Sequence, residues 1–174
     1  MDLQTVHDTL SRTPVAIRAL VAGASPAALA FREHADAWTI PEVLCHVTDG
    51  ELTDWRPRIA ATLSEDQKRF TPFDREGGQR RYGRWSVSAL LEEFDRLRHD
   101  NLTYLAGLNL KDADLARTGI HPEFGSVTLE QLLSCWVVHD LAHISQLSRI
   151  RVRHFAPDIG PWRKYFSLLS NLKD

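Results

Sequence analysis

Two histidines four residues apart mark the last third of the chain. Leu132, Trp136, His139, His143, Gln146 and Ile150 are spaced 4, 3, 4, 3 and 4, which is one helical seam, and its apolar members turn it toward a core. Neutral imidazoles one helical turn apart can converge on a point, the logic of paired histidine metal ligands. The same spacing fits two partly buried, hydrogen-bonded histidines and no metal. A third candidate, His46, shares a stripe with Glu42, Asp49 and Thr53. A solvated face would read alike. Yet Val43, Leu44, Val47 and Trp55 on the other flank make no cleaner apolar face, so both sides can be partly buried. Three protein ligands and one open position form the catalytic zinc-type pattern, whereas a structural site usually closes with four. Periodicity alone does not show that His46 meets the other two.

Neighbouring residues suggest supporting roles. Gln146, three after His143, can orient a ligand or a water, or can be an amide tied to backbone. Asp49, three after His46, can accept the second ring N–H of a ligand histidine and fix its tautomer, or can be a solvated carboxylate. Cys135 lies four before His139 and would close the site as a thiolate, but is read as a small core hydrophobe, as is Cys45. Arg81 and Arg84, in a stretch with Arg75, Arg80 and Tyr82, belong either to a solvated loop or to a lid receiving the carboxylate or phosphate of a substrate or thiol. His7, His34, His99, His121 and His154 are read as surface or loop residues, His121-Pro122 alone in a loop that can border the site.

The elements that must position these groups are helical. Leu3, Val6, Leu10, Ile17 and Leu20 predict a first helix to about Ala22, kinked or restarted near Thr13 by Pro14. Thr39 and Glu42 form a capping box that starts a second helix, running to about Leu63, with a bend at Pro57. Ser64 to Trp85 holds Pro72, Gly77, Gly78 and Gly83 and reads as a connection. Extended, it reaches roughly 70 Å, against about 33 Å for a helix of that length. It can therefore return the length of a bundle and make the second and third helices parallel. Ser86 caps a third helix to about Leu108. Asn109 to Val127 reads as loop. Thr128 and Gln131 cap a fourth helix to about His154, and a short amphipathic tail, Trp162 to Leu172, follows. The expectation is an all-α four-helix bundle in one domain, residues 1–174, without strands.

Composition narrows the function. The chain has 174 residues, 21 Lys+Arg against 23 Asp+Glu, and net charge −2, which disfavours a nucleic-acid partner. Two cysteines make no disulfide scaffold. No apolar run of about 18 residues is present to span a membrane. The first residues lack a signal-peptide pattern, so a cytoplasmic location is expected. Trp, Phe and Leu on the outer faces of so small a bundle are compatible with a homodimer.

The segment Trp38-Thr39-Ile40-Pro41-Glu42-Val43-Leu44-Cys45-His46 resembles the tryptophan-led start of helix 2 in DinB-like proteins. Gly125 to Glu130, followed by His139-x3-His143-x2-Gln146, resembles that family's last core helix. Gly160-Pro161-Trp162-Arg163 resembles its ending. The resemblance implies a four-helix bundle in up-down-down-up order. It also implies a divalent metal, zinc or nickel, on His46, His139 and His143. Family activities suggest a small-molecule enzyme using a low-molecular-weight thiol, as S-transferase or isomerase. The alternatives are a metal-dependent hydrolase or a non-catalytic, stress-associated metal-binding module. Ile144 and Ser145 stand where many members carry Arg and Gly, which bears on the substrate more than on the metal.

Overall fold

The computed structural model describes residues 2–169. Four long segments build the bundle: α1 (Leu3–Val21), α3 (Ile40–Thr53) continued by α4 (Trp55–Leu63), α6 (Val87–Gly107) and α8 (Leu129–His154). Shorter helices α2 (Pro26–Ala30), α5 (Gly77–Tyr82) and α7 (Asp112–Leu115) lie between them. The capping boxes Thr39/Glu42 and Thr128/Gln131 start α3 and α8 as their sequences predict, and the Ser86 hydroxyl caps α6.

Cross-helix hydrogen bonds fix the directions. Arg98 meets Leu10 while Arg18 meets Leu91, so α1 and α6 are antiparallel. Thr13 meets Asp140 and Leu20 meets Arg151, so α1 and α8 are parallel. His46 meets His139 and Glu51 meets Trp136, so α3 and α8 are antiparallel. The order is up-down-down-up, with α3 parallel to α6, as the long crossover requires.

Three expectations are corrected. Pro14 does not restart α1, which runs through it unbroken. Its missing N–H leaves the Leu10 carbonyl without its helical donor, and Arg98 Nη1 donates to that oxygen at 2.7 Å. Pro57 acts more strongly than a bend. Its ring conflicts with the carbonyl four residues back, at Thr53, and the helix divides at Asp54. Thr118–His121 and Gly125–Thr128 are an antiparallel hairpin, β1 and β2, with Thr118 opposite Thr128. Four-residue strands are too short to show alternation. The hairpin is anchored from outside: Phe70 N–H donates to Ile120 O at 2.9 Å, and Ile120 N–H to Lys68 O at 2.6 Å. The crossover thus pairs with β1. It also contains α5, which packs on α3 so closely that a Cβ on Gly78 would come within 2.5 Å of the Cys45 carbonyl oxygen. The tail forms two short 3-10 turns, Gly160–Tyr165 and Ser167–Leu169. Residues 170–172 of the predicted tail lie outside the described residues.

A polar layer divides the core. On one side Ile17, Leu44, Phe94 and Leu147 pack together. On the other, Leu10, Trp55, Leu102, Leu133 and Trp136 do so. Between them Arg98, 1% exposed, donates to Glu51 from Nε and Nη2 and to Asp140 from Nη1 and Nη2, at 2.6–3.0 Å. Trp136 Nε1 and Asn101 Nδ2 also donate to Glu51. Burial works against the Arg98 charge, but Glu51 and Asp140 more than offset it and hold the guanidinium more firmly protonated. Breaking a buried ion pair from one side leaves uncompensated charge, so Arg98→Met is expected to lower unfolding free energy by about 3–5 kcal/mol, read from urea denaturation. A loss below about 1 kcal/mol, the scale of an exposed pair, would contradict the role assigned to this layer.

Candidate metal centre

The polar layer reaches the surface where α3 faces α8. There His46, His139 and His143 converge through Nε2. His139 Nε2 lies 3.1 Å from that of His46 and 3.1 Å from that of His143. One nitrogen from each ring falls within 4.8 Å of the others, a spacing able to hold a single metal ion. His46 is buried at 8% exposure, and the other two are partly buried. Aromatic rings box the group: Trp38 and Phe73 approach His46 with centroids at 4.9 and 5.3 Å, and Trp55 approaches His139 at 5.1 Å.

The donors fit a divalent cation. His143 Nδ1 faces Gln146 Oε1 at 2.8 Å. An amide oxygen only accepts, so Nδ1 carries the proton and the Nε2 lone pair faces inward. Burial, reinforced by the neighbouring rings, pushes His46 down to about 3 and His143 to about 4. Both are therefore neutral imidazoles at pH 7. His139 Nε2 lies 3.1 Å from each of the other two, and one cation between the rings would satisfy all three lone pairs. Behind them, Asp140 Oδ1 lies 4.0 Å from His139 Nδ1. Burial would raise the Asp140 carboxyl, but His139 and Arg98 hold it below its usual value. Two carboxylates share one guanidinium here, so the layer presents a net negative charge behind the ligand ring.

The triad lies in the floor of an open cleft of about 540 Å³. Asp54 and Arg58, from the divided helix, line one wall and pair at 2.6 Å. Arg75 lines the mouth, its guanidinium 5.9 Å from the Trp38 ring centre. His121 and Phe124 of the hairpin line it beyond Arg58.

The remaining sequence candidates are distributed differently. Gln146 orients His143. Asp49 does not serve His46, whose Nδ1 has no hydrogen-bond partner among the described residues. Asp49 is instead buried and bound by Arg81, with Thr53 Oγ1 at 3.5 Å. Arg81 therefore lines a neighbouring depression of about 440 Å³ with Arg80 and Asp74, across Pro72 and Phe73 from the histidine cleft. Arg84, exposed beyond α5, lines none of the cleft. The arginine of the crossover that does line it is Arg75. Cys135 is exposed in the cleft wall, not in the core, and belongs to no metal-ligating group among the described residues. Cys45 is buried as expected. Sequence reasoning missed Asp54 and Arg58, although Pro57 four residues after Thr53 pointed to the break that exposes them. It also missed Arg98, Glu51 and Asp140, although Phe94, Arg98, Asn101 and Leu105 are spaced as a core seam.

Fold and site together define a four-helix bundle whose three-histidine group can hold one metal ion. Residues 9–147 match the DinB superfamily, and the chain belongs to it. Among solved structures it is similar to YfiT from Bacillus subtilis, at 22% identity over 84% of this chain and 85% of that one, with a TM-score of 0.68. That protein is described as a probable metal-dependent hydrolase with an unusual four-helix bundle topology. A search of curated proteins finds no match. Among the described residues no helix is long and apolar enough to cross a membrane.

The depressed histidines set a pH dependence for the metal-free protein. Their folded values lie below the unfolded value of 6.5. As pH falls below 6.5 the unfolded chain takes up protons first, and stability declines. The urea midpoint of chelator-treated protein is expected to fall steadily from pH 6.5 to 5, and less so in His46→Ala. A flat profile over that interval would contradict the buried, neutral assignment.

Proposed function

We propose that this chain is a divalent-metal-dependent hydrolase of a small molecule, with His46, His139 and His143 as the metal ligands. The observation that carries the reading is the buried Asp54 carboxylate in the wall of the triad's open cleft. Imidazole ligands suit zinc or nickel. When bound, a divalent cation supplies Lewis acidity, acidifying a water or thiol toward neutral pH and polarising a carbonyl. Asp54 is the buried carboxylate of that wall; the other acidic residue there, Glu123, is exposed. Burial raises the Asp54 carboxyl, and Arg58 partly opposes this. That poises Asp54 Oδ to accept a proton from an attacking water and pass it to a leaving group, as general-base chemistry requires. Arg58 holds the carboxylate in place. Arg75 at the mouth favours an anionic substrate.

A second reading is thiol transfer or isomerisation with a low-molecular-weight thiol, and Arg75 favours it by offering a partner for a thiol's carboxylate. The two differ at Asp54. A thiol is deprotonated by coordination and needs no carboxylate base, whereas water has a second proton to lose.

Purified without a histidine tag under metal-replete conditions, the protein is expected to carry about one divalent ion per chain. His139→Ala with His143→Ala is expected to lose it. Asp54→Asn should keep the metal and lower kcat on activated esters or lactones by roughly 100-fold. Absence of stoichiometric metal in the wild type would overturn both enzymatic readings. Thiol conjugation that survives Asp54→Asn, with no ester or lactone turnover, would replace the first by the second. Metal without either activity would leave a non-catalytic metal module.

A further inference from the structure

A second hollow, of about 470 Å³, opens beneath the hairpin and is continuous with the histidine cleft. The two share Arg58, His121, Phe124 and Cys135. Beyond this junction the walls are the apolar Phe70, Val127 and Leu132 and the uncharged polar Ser126 and Gln131. The backbone holds the hollow in shape. Phe70 N–H is bonded to β1, and its ring lies so close to Gly119 that any Cβ there would clash with it. The crossover and the hairpin therefore cannot simply collapse together. Phe124 stays 69% exposed at the rim, stacked on His121 with centroids 4.6 Å apart and 12° between planes. A large aromatic ring left in water is surface available to an apolar ligand.

Charge is divided unequally between the two compartments. In the annex Arg58 lies over the Phe70 ring, and its guanidinium is matched by Asp54. The remaining walls are neutral. The metal compartment has Arg75 at its mouth, with no salt-bridge partner within 4.0 Å among the described residues. Glu123 also lines that compartment, but on the solvent-exposed hairpin side.

We infer that the site takes an elongated amphiphile, with an anionic head between Arg75 and the histidines and an apolar group of ring size or larger in the annex. The bond to be broken would lie between the histidines and Asp54, on the histidine side of the junction. This deepens the hydrolase reading and rests on it for the reaction, but the annex itself is a binding site that needs no metal.

The test uses the full chain after chelation, so that it reads neither metal nor turnover. Anilinonaphthalene sulfonate joins an apolar body to an anion. It is expected to bind saturably, at one site, with enhanced fluorescence. Cys135→Phe fills the junction from an exposed position and should weaken binding by about tenfold or more, with near-ultraviolet circular dichroism unchanged. Phe124→Ala, also at an exposed position, should weaken it several-fold. Gln4→Trp, in a surface groove between α1 and α6 that also has apolar walls, should leave it unchanged. N-phenylnaphthylamine, the same body without the sulfonate, should bind more weakly, and Arg75→Gln should narrow that difference. No saturable binding, binding indifferent to both Cys135→Phe and Phe124→Ala, or loss in Gln4→Trp would overturn the annex. Equal affinity for the two dyes would overturn the anionic head. Because Cys135→Phe should retain full metal occupancy, failure here is distinguishable from failure of the metal reading.

Discussion

The Arg98 guanidinium is the interaction on which the bundle's organisation turns. It binds α1 through the Leu10 carbonyl, α3 through Glu51 and α8 through Asp140, while belonging to α6. One side chain thus ties all four long helical segments at a single level. Apolar packing alone tolerates sliding, since one leucine replaces another at small cost. A buried fork with a fixed set of acceptors does not slide without stranding charge. The register it imposes places His46 of α3 opposite His139 and His143 of α8. Pro14 takes part by removing a donor. In another helix its absent N–H would be a defect, and here it releases the carbonyl that Arg98 needs.

The site grows from that layer outward. Asp140 touches both Arg98 and, electrostatically, His139, so structural and functional polarity are continuous. Burial keeps His46 and His143 neutral, and Trp38 and Phe73 pack against His46. The walls come from segments outside the four long helices. The crossover contributes Arg75 and Phe73, the hairpin contributes His121 and Phe124, and the break after Thr53 contributes Asp54. The bundle supplies rigidity beneath, and the irregular segments give the cleft its chemistry, the usual division between scaffold and loops.

Much of this was legible in the residues. The capping boxes marked the starts of α3 and α8, and the length of the Ser64–Trp85 stretch implied parallel neighbours. The 4, 3, 4 spacing placed His139, His143 and Gln146 on one seam. What periodicity could not supply was the meeting of His46 with that seam, because helical phase says which face is buried but not against what. Asp49 shows the same limit. It lies on the His46 stripe, but α5 packs there and delivers Arg81 to it. Arg81 and Arg84 were attractive as a cluster, yet α5 delivers Arg81 to Asp49, Arg84 lies beyond its end, and Arg75, which precedes it, lines the cleft. The hairpin escaped notice because its four-residue strands are too short to show alternation and it is anchored by Phe70 and Lys68, about 50 residues away. Cys135 was assigned to the core because free cysteine behaves as a small hydrophobe, but the cleft reaches down to that turn of α8 and leaves it exposed.

The pairing of α1 with α8 has a further consequence. The contacts that assemble the histidines join distant parts of the chain: His46 and His139 are 93 residues apart, and Leu20 and Arg151 are 131 apart. Each such contact carries a loop-closure cost, because a long loop must close before the distant contact rewards it. During synthesis the first three long segments emerge with the Arg98–Glu51 pair available, but Asp140 and two of the three imidazoles arrive only with the last long helix. Until then the three-histidine group is incomplete. Completion of the three-histidine group is therefore a late event, and it reports that the last long helix has docked on α3.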